Sequence, residues 1–434
     1  VGDAWDLFFM GLGFCNDAIT NLEERSAESM NISEEDRAAF IAELRANRAY
    51  YYLGIMDLWG NAPISTKVGE PEMPATNSRQ EIFDFVESEI LEVIDDLPLL
   101  SQEEQNCGRF TRAAGYAMLA TLYLNAEEWT GTARWDDCIT YCDHLINGDG
   151  GGQNGPIQLD DDIYKPFSNT NSEDSRENIL VLSYDYMASG VKCGWAGDFY
   201  HFNQRYIYGG TDNGNDGVVV IPSAYDMFED NDLRKQNWML IGPQYDYNTG
   251  EPVVGTSEYT GQPLVFVREI MRYSEGDTTT STMYTGEENS GARFNKYNPG
   301  PLSDPNYYGN DWVLYRLTEF YFDKAEALMH QNGGKATQEA VDLINACRQR
   351  AFSAEDWPNE KYTTATLTLD ELLAERGREF IFEGKRRTDL IRFGKFLTES
   401  WWDHTPTTSE HLKIFPIPYD QTSLNPNLVQ NEGY

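Results

Sequence analysis

Glu375, Glu379 and Glu383 recur at a four-residue spacing, which puts three carboxylates on one face of a helix. Paired carboxylates are the equipment of glycoside hydrolysis, which needs an acid and a base ~5–9.5 Å apart. Arg376, Arg378, Arg386, Arg387 and Arg392 stand among them, however. Guanidiniums hold neighbouring acids ionised, whereas a general acid needs a raised pKa. The pattern therefore reads as bidentate structural pairs that clamp this helix to its neighbours, and no catalytic residue is assigned. The aromatic residues allow another chemistry. Trp195, Tyr200, Trp238, Tyr245, Tyr247, Tyr259 and Tyr284 lie on segments rich in Gly, Asn, Asp and Gln, where rings can be displayed rather than buried. A sugar presents apolar C–H faces flanked by hydroxyls, so rings under those faces and polar groups at the edges would hold it. Asn203, Gln204, Arg205 and Asp246 are the nearby edge groups.

Other chemistries find little support. There is no G-x-S-x-G elbow, P-loop or H-E-x-x-H, and the histidines are dispersed. Gly209 to Gly217 looks like a calcium loop, but counting from Asp212 puts Gly214 third and Ser223 twelfth, which excludes an EF-hand. Cys138 and Cys142 share a helix face while His144 points elsewhere, so these cysteines read as buried free thiols rather than a zinc site. No metal and no cofactor is expected. The chain carries 33 basic and 71 acidic residues, a net charge of −38, which repels nucleic acid and anionic lipid. A neutral, cationic or protein partner is left. No apolar run is long enough to span a membrane. Amphipathic sequence follows Val1 at once, so a targeting segment is taken to have been removed, and Phe14 makes Cys15 unsuited to lipoprotein cleavage.

The elements that must position these groups are helical at both ends. Ser33 to Trp59 reads as a helix capped by Ser33, with Phe40, Leu44, Tyr51, Ile55 and Leu58 as its buried stripe and Gly60 as its end. Tyr50 to Tyr52 point three ways around it and belong to the core. Ser78 to Leu97 reads as a second helix. Thr111 to Asn125, rich in Ala, pairs with Trp135 to Ile146, and Trp312 to His330 pairs with Thr337 to Ala351. Small residues that let paired helices pack closely are the tetratricopeptide pattern. Thr368 is expected to cap the Glu/Arg helix, with Glu371 completing a capping box. Between the helical ends lies a loop-rich insert, with short strands at Ile179–Tyr184 and Leu264–Val267. The twin Trp401-Trp402 is read as a cover for the core.

Several segments, in order along most of the chain, carry a resemblance. They are Arg45-Ala46-Asn47-Arg48-Ala49-Tyr50-Tyr51-Tyr52 running to Trp59-Gly60 and Pro63, and Arg109-Phe110-Thr111-Arg112-Ala113-Ala114. Arg316-Leu317-Thr318-Glu319 with Asp323-Lys324-Ala325-Glu326 follows. The most specific is Glu375-Arg376-Gly377-Arg378-Glu379-Phe380 through Arg387-Thr388-Asp389-Leu390 to Gly394. The last is Phe415-Pro416-Ile417-Pro418 with Asn425-Pro426-Asn427 and the tail to Tyr434. Glu177-Asn178-Ile179 and Asp232-Leu233-Arg234 are weaker echoes. Together they resemble the SusD (RagB) family of outer-membrane glycan-binding lipoproteins. The resemblance departs at the front, where the lipidated cysteine and first elements of the family have no counterpart.

The resemblance implies a mainly α fold of tetratricopeptide-like hairpins with a loop-rich insert. It divides the chain into residues 1–147, a helical scaffold, 148–305, an aromatic insert that would bind ligand, and 306–434, a last hairpin with the signature helix and tail. It implies a non-enzymatic, lipid-anchored protein of the bacterial outer-membrane surface that binds an oligosaccharide and caps a SusC-like, TonB-dependent transporter. The family's stacking rings commonly come from such an insert, so the region is carried over and the seven rings rest on local chemistry. A peptide- or protein-binding subunit of a similar importer is the alternative, and a glycoside hydrolase stands behind both.

Overall fold

The computed structural model describes residues 1–69, 73–104, 106–184, 194–306 and 308–434, with backbone alone at Trp195 and Ala196. Helix α1 (Gly2–Glu24) precedes the first helix predicted from periodicity. Helix α2 (Glu34–Trp59) follows, and Ser33 caps it in a capping box with Asp36. Its buried side includes Ile55 of the predicted stripe, with Tyr51 and Leu58 half-buried against the core, but is made mostly of other residues. Ala42, Ala46, Ala49, Tyr52, Leu53, Ile55 and Met56 are buried, while Phe40 is exposed. The reason is that α2 packs on α1 and on α3 (Arg79–Leu91), so small residues serve two contacts. At the α1–α2 crossing a Cβ on Gly11 would lie 2.4 Å from the Tyr51 ring, and one on Gly54 would lie 2.6 Å from Phe8. Tyr52 is fully buried, and its hydroxyl accepts from Ser65 N at 2.8 Å. Helix α3 stops at Leu91 rather than Leu97, and turns carry the chain on towards Pro98.

The Ala-rich α4 (Arg112–Leu124), capped by Thr111, packs on α5 (Trp135–Ile146) as the spacing predicts. Cys138 and Cys142 are buried in α5 with sulfurs 4.0 Å apart, and Cys15, Cys107 and Cys347 are buried free thiols too. Cys193 lies outside the described residues. Strand β1 (Asn178–Leu182) pairs antiparallel with a strand at Trp312–Arg316, a segment predicted as helix. Val313 and Tyr315 alternate inward there, a period-two pattern hidden beside the helix that starts at Leu317.

In the insert, β2 (Val219–Val220) and β3 (Met239–Leu240) flank β6 (Ala292–Phe294) in an antiparallel sheet. Beside it β4 (Gly242–Pro243) pairs with β5 (Val265–Phe266). Strand β7 (Trp312–Arg316) then feeds α6 (Leu317–Gln331), which packs on α5 and on α7 (Gln338–Arg348). Helices α8 (Leu369–Glu379) and α9 (Arg386–Arg392) close the scaffold. Thr368 Oγ1 accepts from Glu371 N at 3.1 Å, so the cap forms. The expected capping box does not, because the Glu371 carboxylate accepts from Tyr362 and Arg378 instead. One hydrophobic cluster runs from Trp5 through Ala117 and Phe294 to Ile417, so the insert is packed onto the helices by shared rings.

Candidate functional site

The three carboxylates of the signature helix lie in an interior network of ion pairs. Glu375 accepts from Arg234 (2.9 Å), Arg378 (2.7 Å) and Arg348 (2.5 Å). Glu379 accepts from Arg234 and Arg316, each at 2.9 Å. Glu383 takes the Arg316 fork at 2.8 Å and Lys296 at 2.5 Å. Burial pushes the Glu379 carboxyl up, but Arg316, Arg234 and Arg350 outweigh it and hold it down at about 2. Glu375 and Glu383 are held low against burial by the same kind of neighbour. These groups are ionised at any working pH and have no proton to give. Arg387 stands apart from them and pairs with Asp57 of α2 at 2.9 Å.

The candidate rings divide. Tyr200 and Trp238 are buried, which corrects their reading as displayed rings. Trp238 meets the Phe167 ring edge-on with centroids 5.7 Å apart, and Lys296 Nζ sits 3.8 Å over its face. Tyr200 packs on Tyr208, Phe294 and Tyr308. Both rings are packed inside, and neither has a face left for a ligand. Among the edge groups, Gln204 and Asn203 are buried and donate to the carbonyls of Phe294 and Val254. Asp246 accepts from Asn248 N and Thr249 N and holds its own turn. Trp195 opens the short helix Trp195–Phe199, and its side chain lies outside the described residues. Tyr284 is 78% exposed, Tyr247 55% and Tyr245 54%. Tyr247 N donates to Tyr206 O, and Arg205 lies over the Tyr206 ring, so Tyr206 and Tyr247 are neighbours at the outer surface. Tyr259 is half-buried and donates its hydroxyl to Glu287 at 2.8 Å.

Glu287 leads to a cleft that the ring candidates only flank. It has a volume of ≈ 480 Å³, within the ~300–1,000 Å³ of small-molecule sites. Phe202, Val219, Ile221, Ile270, Met283 and Trp402 form its apolar wall, and Asp216, Ser257, Glu258, Glu287, Glu288, Ser290 and Arg293 its polar side. The β2–β6–β3 sheet fixes its floor, since Val219 is on β2, Arg293 is on β6 and Asp216 lies just ahead of β2. Glu288 ties down the neighbouring loop by accepting from Tyr259 N (2.7 Å), Thr256 N (2.8 Å) and Ser257 N (3.0 Å). Burial pushes this carboxyl up, but those backbone donors prevail and keep it below its ordinary value. His201 accepts from Asn203 N at Nδ1 (3.1 Å), so its Nε2–H faces Glu288 at 3.3 Å. Burial and Arg293 push His201 down to about 4, so the ring is neutral. Burial also raises Asp216 to about 6 against the pull of Arg293, its partner.

Trp402 is the residue that sequence reasoning misplaced. It does not cover the core but forms part of the cleft wall, where its indole N–H donates to Ser281 Oγ at 2.9 Å. Asp403 accepts from Met283 N at 2.9 Å and so ties the same loop to the C-terminal segment. Trp401 instead stacks on His404, with centroids 3.9 Å apart. The Trp-Trp-Asp run was visible, but nothing in it told which region it would meet. A smaller cavity of ≈ 190 Å³ lies among the helices. Its charged side chains are already paired, Lys385 with Glu319 and Arg392 with Glu326 and Asp389. Among the described residues no group of three or more His, Cys, Asp or Glu could hold a metal ion.

A helical-hairpin scaffold that presents a loop-built cleft with an apolar wall and fixed polar groups is the architecture of a binding protein. The model of the SusD family matches residues 143–434, and the chain belongs to that family, whose members bind glycans at the cell surface and are not enzymes. The chain is 27% identical over 426 residues to the starch-binding protein SusD of Bacteroides thetaiotaomicron, covering 91% of this chain and 72% of that protein. Its fold matches a SusD superfamily protein from Parabacteroides distasonis with a TM-score of 0.75 at 19% identity, covering 100% of this chain and 86% of the other. It also matches surface glycan-binding protein A from Bacteroides thetaiotaomicron, solved in complex with laminarihexaose, with a TM-score of 0.71 at 22% identity, covering 99% and 85%. The mainly helical fold expected from the sequence is thus the fold found.

Proposed function

We propose that this chain captures an oligosaccharide at the bacterial cell surface and delivers it, uncleaved, to a SusC-like, TonB-dependent outer-membrane transporter, with a lipid anchor holding it at the outer membrane. Among the described residues no helix is long and apolar enough to cross a membrane. The observation that carries the reading is the cleft, whose lining brings the Phe202 and Trp402 rings together with carboxylates, among them Glu288, which backbone donors anchor and keep below its ordinary value. Rings against C–H faces and fixed acceptors against hydroxyls suit a sugar. The names of relatives agree, one being a starch-binding protein and another holding laminarihexaose. In this reading residues 148–305 form the ligand-bearing domain, and 306–434 lends it Trp402. Tyr259 and Tyr284 flank the cleft, while Tyr245 and Tyr247 offer a second, outer platform.

Affinity gels over a polysaccharide panel that includes starch and laminarin test this. Trp402→Ala should weaken binding by about 1–3 kcal/mol, roughly ten- to a hundredfold, and Tyr284→Ala by less. Both variants should keep the parent's melting temperature to within a few degrees. Retention of peptides with no polysaccharide bound, or folded variants that bind like the parent, would overturn the assignment.

A further inference from the structure

We infer that the cleft admits uncharged oligosaccharides and turns away uronic-acid and sulfated ones, an inference that rests on the cleft being the glycan site proposed above. The first observation is the balance of charge in it. Its lining includes the carboxylates of Asp216, Glu258, Glu287 and Glu288, and among the described residues Arg293 is its one basic side chain.

The second observation is that Arg293 is not free to meet an anion. Its side chain has no exposed surface; one terminal nitrogen pairs with Asp216, and the other donates to Glu288 O at 2.7 Å. The guanidinium also lies over the Phe266 ring, 5.2 Å from its centroid. A glycan carboxylate or sulfate ester is ordinarily held by a guanidinium or ammonium that can turn its donors outward. Arg272, which donates to Tyr284 O near the rim, pairs loosely with Glu275 at 3.6 Å.

The carboxylates, by contrast, are held in place at the cleft. Glu288 is fixed by backbone donors, and Glu287 accepts from Tyr259 Oη, Ser274 N and Ser274 Oγ. Glu258 is exposed, and its carboxylate accepts from Glu288 N at 3.2 Å. An anionic sugar entering here would lose its hydration beside like charges, and Arg293, turned inward, would not compensate it. The chain's net charge of −38 adds to the repulsion during approach. Neutral hydroxyls meet no such penalty, because carboxylates accept hydrogen bonds from them.

The experiment measures binding of the whole chain to two panels by affinity gel and calorimetry. One panel holds neutral polysaccharides (starch, laminarin, galactomannan, xyloglucan) and the other charged ones (polygalacturonate, alginate, carrageenan). At least one neutral glycan should bind, Trp402→Ala should weaken it roughly tenfold or more, and every charged glycan should bind at least about tenfold more weakly than the best neutral one. Glu258→Lys should narrow that ratio. Raising salt to ~1 M, where charges are screened beyond ~3 Å, should narrow it too, from the anionic side. A charged glycan bound as tightly as the neutral one, with both weakened by Trp402→Ala, overturns the charge selection and leaves the cleft standing. Glycan binding untouched by Trp402→Ala in a folded variant overturns the cleft and the inference together. Binding of neither panel overturns the proposed function itself.

Discussion

Two groups of buried carboxylates, one in the scaffold and one at the cleft, are stabilised by different means. In the scaffold, Glu375, Glu379 and Glu383 are met by side-chain cations from distant parts of the chain, Arg234, Lys296, Arg316 and Arg348. At the cleft, Glu288 is met mostly by backbone N–H groups and Glu287 by hydroxyls and one N–H. The first arrangement joins segments and leaves no polar atom for a visitor. The second fixes a loop locally and leaves the carboxylates at the edge of an open space. Acid-rich clusters thus serve cohesion where cations saturate them, and recognition where the backbone holds them beside a cavity.

Removing an acid from the scaffold set should have the largest effect. Glu379→Ala takes one carboxylate partner from each of Arg234 and Arg316, both fully buried, and should lower stability by about 3–5 kcal/mol, read as the midpoint of urea denaturation. A loss under about 1 kcal/mol would show that these pairs add nothing beyond their burial. On the cleft side, Glu288→Gln keeps one oxygen for the backbone donors and should lower stability by only about 1–2 kcal/mol. Its greater effect should be local, as faster amide exchange at Thr256, Ser257 and Tyr259.

Acid separates Glu379 from Asp216 by sign. Glu379 has its carboxyl lowered from 4.5 to about 2 in the fold, so its contribution is present above pH 4.5 and lost as pH falls towards 2. Asp216 is raised from 3.8 to about 6, so its contribution is present below pH 3.8 and lost as pH rises through 6. Melting temperature should therefore fall steeply below pH 4.5, and Asp216→Asn should flatten the profile between pH 4 and 6 without moving the acid limb. An acid limb that Asp216→Asn abolishes would reverse the assignment.

The scaffold was largely legible because its signals are local. Ser33, Thr111, Thr337 and Thr368 each sit directly before a helix and cap it through the residue three positions on. The charged motifs announced themselves too. Glu177 and Asp232-Leu233-Arg234, the faint echoes in the sequence, prove to be members of the same network, since Glu177 pairs with Arg316 and Arg350, and Arg234 with Glu375 and Glu379. The cleft was illegible for the opposite reason. Its wall joins Phe202, Met283 and Trp402 through two-residue strands and turns that carry no periodicity. Flanking Gly and Asn did not tell Trp238 from Tyr284 either. The first is drawn under Lys296 and Phe167, the second left in solvent, and that choice is made by contacts far off in sequence.

Arg387 marks the boundary of the comparison and should give the smallest effect. It belongs to the signature segment, and the sequence places it beside the Glu/Arg helix, yet it reaches outward to the end of α2. It donates to Asp57 Oδ2 at 2.9 Å and to the Lys413 carbonyl, with the two side chains 24% and 22% exposed. A part-hydrated pair gains little, because water still serves both ions when one is removed. What it adds is a tie between α2, α9 and the C-terminal segment that leads to Phe415, whose N–H donates to Leu58 O at 2.7 Å. Arg387→Ala should thus lower stability by about 1 kcal/mol, a shift of a few degrees at most in a chain of this size. Arg387→Lys should recover part of it, since an ammonium reaches Asp57 without the fork. A loss as large as that of Glu379→Ala would mean that Arg387 is dehydrated like the interior set, and the boundary drawn between the two would have to move outward to include α2.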